Sequence, residues 1–374
     1  MPDNTKTLRD STAMRWVVLV LASSVMFMNY YFYDAPNTLK DLLLSELGWD
    51  NAGYGIFTSA YSVPNVFFLM AVLGGIILDK VGIRKTGFVF TLLMAVGGLV
   101  TAYGATAYFN NGGFGHGLAS MGPWAPSLVC MSFGFFLFGL GAETSIVVLS
   151  KIVVKWFKGR EVALALGLNL AIGRLGSALA MYLTPKLTEP TWNLGIWVGA
   201  ALMVLGFFLY LAYIGVDLKL DRQLDEGMES EPEEEFRLAH LKELVTDKSV
   251  LYITALCVTF YSAIFPFLKY APDLLMNKFG MEREIAGEVS SLLIFGTIIL
   301  TPLFGWITDT RGKTASLMFI GSALLIVSHG LFALTTVPPY LPLFTLGVAF
   351  SLVPAAMWPA VAKIVEESRI GRAY

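Results

Sequence analysis

Glu143 and Arg174 each interrupt a long apolar run. An ionisable group at the centre of a bilayer costs several kcal/mol and is retained where it does work. If the two runs form an antiparallel helical hairpin, the midpoint of 143 and 174 falls between Lys158 and Gly159, in the connecting turn. At 1.5 Å per residue both charges then stand roughly 20 Å above that turn, level with one another and near mid-membrane. An acid and a base at one depth suit a small zwitterion with an amine and a carboxylate. Arginine fits the carboxylate because its planar fork binds both oxygens. The same two charges can also pair with each other and lock the hairpin, and an empty site can pair its own charges.

A second set of charges sits at segment ends. Gly75, Asp79 and Gly82, followed by Arg84, recur in weaker form as Gly305, Asp309 and Gly312, with Arg311 beside them. Asp79 closes an apolar segment, so its carboxylate faces the negative end of a helix dipole and needs a compensating cation. Arg84 is one available partner, and a pair that breaks and re-forms acts as a latch. Asp34 and Lys269 lie near the other ends of their segments and suit a gate on the opposite side. Tyr31, Tyr61, Asn65, Tyr261 and Trp358 are candidates to line the cavity around Glu143 and Arg174. His329 reads as a packing histidine, and Cys130 and Cys257 as small apolar residues with no neighbour at metal-ligand spacing. No cofactor or metal is called for.

These side chains must be carried by elements that lie in lipid. The chain has 374 residues, 56% apolar and 14% charged, against roughly a quarter charged in a soluble domain. The net charge of −2 offers nothing to a nucleic acid. Ten segments are long and apolar enough to span a bilayer, at 14–34, 53–78, 87–108, 124–149, 162–185, 192–214, 250–270, 286–308, 314–335 and 341–364. Lys and Arg crowd the loops after the second, fourth, eighth and tenth segments. The positive-inside rule makes those loops and the N-terminus cytoplasmic. Between the sixth and seventh segments, an acidic stretch over 216–248 reads as a linker that ends in an amphipathic surface helix. The chain contains no His-Glu-x-x-His, no paired intramembrane aspartates and no Gly-x-Ser-x-Gly, so an intramembrane enzyme is disfavoured.

The Gly-Asp-Gly spacing repeats between the halves, as do Ala35-Pro36 with Ala271-Pro272, and Lys151-Ile-Val with Lys363-Ile-Val. Parallel repeats of this kind underlie alternating access. The motif at 75–85, with its second copy, resembles the signature loop of the major facilitator superfamily. The resemblance implies an all-α polytopic membrane protein with two six-helix bundles. The first would be residues 1–215, then the linker 216–248. The second, 249–374, would lack its last two helices in this chain. The fifth segment, Leu166 to Ser177, has no proline before Pro185, which argues against the drug antiporters of that superfamily.

Tyr31-Phe32-Tyr33-Asp34-x-Pro36, Tyr61-Ser62-x-Pro64-Asn65, Gly141-x-Glu143 through Trp156-Phe157-Lys158-Gly159 to Arg174-x-Gly176-Ser177, and Phe350-Ser351-Leu352 through Trp358-Pro359 together resemble its lysosomal dipeptide transporter branch. That resemblance implies facilitated diffusion of dipeptides without obligatory ion coupling. It implies a multi-pass protein, of the lysosomal membrane in an animal or the cytoplasmic membrane in a bacterium. A glycosylated accessory membrane protein is implied only for an animal lysosomal homologue. The alternative is a proton-coupled symporter of organic anions or other small metabolites, with Glu143 as the titrating group.

Overall fold

The computed structural model describes residues 7–224 and 248–370. Those residues are helical wherever they are regular, with no strand among them. Nine of the helices are long and apolar enough to cross a membrane. The described chain divides into two compact units, 1–232 and 233–374. The amphipathic helix expected at the end of the linker lies outside the described residues.

In the first unit, α1 is Thr12–Asp34. The Ser11 hydroxyl starts it by accepting from the Met14 amide, which satisfies one of the amides a helix start leaves open. Short α2 is Lys40–Leu47. The second expected span is not continuous. It is built from α3 (Asn51–Ala60), α4 (Ser62–Phe67) and α5 (Met70–Val81). Pro64 brings no amide hydrogen to the ladder, and Leu69 sits in left-handed backbone at φ 49°. The Leu69 carbonyl then accepts from Val72 and Leu73 to restart the helix.

Next come α6 (Ile83–Gly104), the short α7 (Ala107–Asn110) and α8 (His116–Ala119), α9 (Pro126–Phe157), α10 (Val162–Leu183) and α11 (Leu194–Leu224). The fourth span runs eight residues past its expected end, to Phe157. Residues 216–224, expected as linker, continue the sixth span, because Tyr213, Val216 and Leu220 keep one face of the helix on the core. Helix α1 packs on α10, α11 and α9, while α9 also carries α6 and all three pieces of the second span. The core near the basic end holds Trp156, Phe157, Tyr210 and Tyr213, all buried.

The second unit holds α12 (Lys248–Phe279), α13 (Arg283–Arg311), α14 (Thr314–Leu334) and α15 (Tyr340–Ile370). The seventh span was expected to stop at Pro272, by analogy with Pro36. It continues through Pro266 and Pro272 to Phe279 instead. The repeat does hold at the helix ends after the second and eighth spans. Gly82 caps α5 at φ 86° and Gly312 caps α13 at φ 63°. Both turns need left-handed backbone, which a glycine adopts without a Cβ penalty.

Candidate functional site

Glu143 lies on α9 and accepts a hydrogen bond from the Tyr61 hydroxyl at 2.6 Å. That length belongs to the charge-assisted O–H···O⁻ class, the stronger kind of side-chain hydrogen bond. Tyr61 occupies the joint between α3 and α4. It is held there because α9 has no side chain at Gly139, where a Cβ would collide with the Tyr61 carbonyl and Cα. Tyr33 packs on Tyr61 with ring centroids 4.5 Å apart and the planes tilted by 57°. Tyr30, Tyr33 and Glu143 are all electrostatic neighbours of the Tyr61 hydroxyl. Asn65, one turn on from Tyr61, donates to the Tyr61 carbonyl at 3.3 Å, and its own Oδ1 is buried without a hydrogen-bond partner. Unwound backbone at membrane depth survives only inside protein or beside a water-filled cavity. The broken second span is backed by protein here, since all three of its pieces pack on α9, the helix that carries Glu143.

The acid and the base flank the same turn of α1. The Ala142 carbonyl, next to Glu143, accepts from the Asn29 amide at 3.4 Å. A Cβ on Gly173, next to Arg174, would lie 2.8 Å from Met26 and 3.4 Å from Tyr30. Gly176 packs on the Phe27 carbonyl. Contacts over 26–30 thus fix α9 at residue 142 and α10 at residues 173–176, which is the level arrangement that the spacing predicts. The connecting turn is 158–161, where the midpoint falls. Both charged residues are half-buried, facing neither the packed core nor open solvent.

Other candidates lie elsewhere. Tyr31 is buried against Ala35 and Ala180, and Thr184 donates to its hydroxyl at 3.3 Å. It packs α1 on α10, and its neighbour Tyr33 is the one whose ring meets Tyr61. Asp34 is buried and accepts from the Asn37 amide at 2.9 Å within the first unit. In the second unit, Lys269 is buried on α12, Tyr261 stacks on Phe265 at 5.2 Å, and Trp358 is 54% exposed on α15. His329 packs as expected: its Nδ1 bonds the Leu325 carbonyl at 3.0 Å and its ring meets Phe267 edge-on. It also lines a cavity of about 420 Å³ between α12 and α14.

At the basic end the charges pair differently from the expected Asp79–Arg84 contact. Asp79 is met by Lys151 of α9 at 2.9 Å. Arg84, in the first turn of α6, engages Asp217 at 3.3 Å and also Asp221, both on the last turns of α11. Lys155 reaches Asp217 at 2.8 Å and Asp221 at 3.4 Å, and the Tyr213 hydroxyl donates to Asp217 at 3.0 Å. A cation at a helix start and carboxylates at a helix end are each disfavoured by their own dipole, and here they offset one another. Below them, Arg160 pairs with Asp10 at 3.1 Å. The Thr7 amide and hydroxyl, and then Arg160, hold the Asp10 carboxyl below its usual range. Asp309 and Arg311 close α13 as exposed residues.

The glycine contacts carry a stability prediction. Gly139→Ala should lower the thermal-unfolding midpoint in detergent, by about 1–3 kcal/mol of overpacking. Gly75→Ala, in open space on α5, should leave it nearly unmoved. Equal midpoints for the two variants would mean that Gly139 does not hold the joint at Tyr61.

The profile described as Major Facilitator Superfamily matches residues 21–374. The lysosomal dipeptide transporter MFSD1 of Danio rerio is 30% identical over 96% of this chain and 76% of its own length. That of Homo sapiens is 28% identical over 97% and 76%. Among solved structures, the xylose transporter XylE from E. coli, in a partially occluded inward-open conformation, aligns with a TM-score of 0.65. It shares 12% identity and covers 92% of this chain and 83% of its own. That likeness speaks for the fold alone.

Proposed function

This chain belongs to the Major Facilitator Superfamily, and from that premise we propose that it carries dipeptides across its membrane by facilitated diffusion. As a member it is a multi-pass transporter of small solutes. The observation that carries the narrower reading is the level pair of Glu143 and Arg174 around residues 26–30 of α1. Glu143 takes the substrate's ammonium, in place of or beside the Tyr61 hydroxyl. Arg174 takes the carboxylate through its fork. Tyr30, Tyr33 and Asn65 line the space between. The two named relatives are dipeptide transporters, which agrees with this reading. The lysosomal membrane of those relatives is the corresponding location if the source is an animal.

The test is uptake of a labelled dipeptide into proteoliposomes with no ion gradient. Saturable uptake, displaced by other dipeptides and not by organic anions, is the expected result. Uptake of an organic anion that requires an inward proton gradient and ignores dipeptides would replace this reading with the symporter alternative, with Glu143 titrating.

The Asp79–Lys151 pair serves the conformational cycle in this reading. Asp79 is 51% exposed, and a surface pair of this kind contributes little stability, about 0–1 kcal/mol. Its effect comes from being made in one state and not in the other, since only differential contacts shift a two-state equilibrium. Asp79→Asn should slow uptake by up to about fivefold while leaving dipeptide binding within roughly twofold, the former set by the about 1 kcal/mol that such a pair can contribute to one state only. Unchanged uptake at equal expression would refute the latch.

A further inference from the structure

The loop from Ala105 to Ala125 joins α6 to α9 and contains no Asp, Glu, Lys or Arg. The other two loops at that end of the unit are charged: Lys40, Asp41, Glu46 and Asp50 in one, Lys186 and Glu189 in the other. The uncharged loop is nevertheless folded. Thr106 caps α7 by accepting from the Phe109 amide at 3.2 Å, and Asn110 donates to the Gly104 and Thr106 carbonyls. The Tyr103 hydroxyl ties the loop at the Phe114 carbonyl, at 3.0 Å. Asn193 reaches the Ala105 carbonyl at 2.9 Å from the loop before α11. Phe109 is the buried pivot, packed on Tyr103 and His116.

This ordered frame holds its largest apolar side chains outward. Phe114 is 87% and Met121 82% exposed, with Tyr108, Leu118 and Trp124 also exposed. An ordered, charge-free surface of this size marks a contact. On the spanning helices that the loop joins, Leu99 of α6 and Phe133 of α9 are exposed as well, each within about two turns of the loop. Aromatic and apolar residues without charge, at the end of spanning helices, are the composition of a membrane-interface anchor.

We propose that the 105–125 loop lies in the bilayer interface at the end of the first unit opposite Arg84 and Lys155, with Phe114, Leu118 and Met121 inserted among the lipids. The loop thereby fixes the depth and tilt of α6 and α9, and α9 is the helix that carries Glu143.

The experiment uses the full chain in phosphatidylcholine nanodiscs, with Cys130 and Cys257 replaced by alanine. Single cysteines at Phe114→Cys and Met121→Cys, with Leu118→Cys as a further site should either fail to fold, receive a nitroxide label. Glu46→Cys, in a charged loop of the same end, is the aqueous reference. Collision with oxygen, which concentrates in lipid, is compared with collision with a water-soluble nickel chelate. The oxygen-to-nickel ratio at 114 and 121 should exceed that at 46 several-fold. Ratios equal to that at 46 would place the loop in water and overturn the proposal. Exclusion of both reagents would overturn it too, by showing that protein, a second copy or another chain, covers the surface.

Discussion

A dipeptide acetylated at its amino end, or amidated at its carboxyl end, should compete at least about a hundredfold more weakly than the free dipeptide in proteoliposomes. The magnitude follows from the level acid and base. A free zwitterion brings a cation to Glu143 and an anion to Arg174, so two ion pairs form and no net charge is added. Acetylation leaves Glu143 facing a neutral amide, and amidation leaves Arg174 facing another. An uncompensated buried charge costs about 3–5 kcal/mol, more than two orders of magnitude in affinity. Both residues are half-buried in this structure, so the lower end of that range applies. Arg174→Lys should fail in the same way as amidation, because an ammonium point charge does not reproduce the two-oxygen fork. Tyr61→Phe should cost less, roughly tenfold, the worth of one hydrogen bond to a charged group. If both blocked peptides compete as well as the free one, Glu143 and Arg174 are the structural bridge between α9 and α10. The substrate's ends are then held elsewhere.

The level pair was legible in the sequence because it depends only on counting. A hairpin reflects residue numbers about its turn, and 143 and 174 are mirror images whatever the packing. Gly82 and Gly312 were legible for a similar reason: each ends a repeat with left-handed backbone, and the repeat shows in the spacing. The choice among Tyr30, Tyr31 and Tyr33 was not legible. Adjacent helical residues point about 100° apart, and a run of aromatics does not say which face meets α9. The rotation of α1 is set by Asn29 on Ala142 and by Gly173 and Gly176 on 26–30, contacts that exist only once three helices meet. The break at Leu69 was hidden too. Pro64 announces a weak ladder, but the left-handed residue comes five positions later, at an exposed leucine whose residue type gives no signal for it. The cluster at Asp217 was missed because the acidic composition after 216 reads as linker. The signal that finds it is Asp217 and Asp221 at i, i+4, interleaved with Leu218 and Leu220.

That cluster carries the second large expected effect. Asp217 is 1% exposed and takes Arg84, Lys155 and the Tyr213 hydroxyl at once. Asp221 meets the same two cations but is 31% exposed. Removing Asp217 takes away the one buried carboxylate; Arg84 and Lys155 are 33% and 29% exposed and keep Asp221, so the loss lies at or below the low end of the about 3–5 kcal/mol of a broken buried pair. Removing the exposed partner lets water replace it, at about 0–1 kcal/mol. Asp217→Asn should therefore lower the unfolding midpoint in detergent more than Asp221→Asn, although each change deletes one carboxylate from the same pair of cations. Loosening α11 from α6 and α9 at the basic end should also relax the Asp79–Lys151 contact, because Lys151 and Lys155 stand one turn apart on α9. Asp217→Asn is thus expected to slow dipeptide uptake as well as destabilise, whereas Asp79→Asn slows uptake without destabilising. If Asp217→Asn and Asp221→Asn unfold at the same midpoint, burial is not what makes the network strong, and its role reduces to that of surface charge.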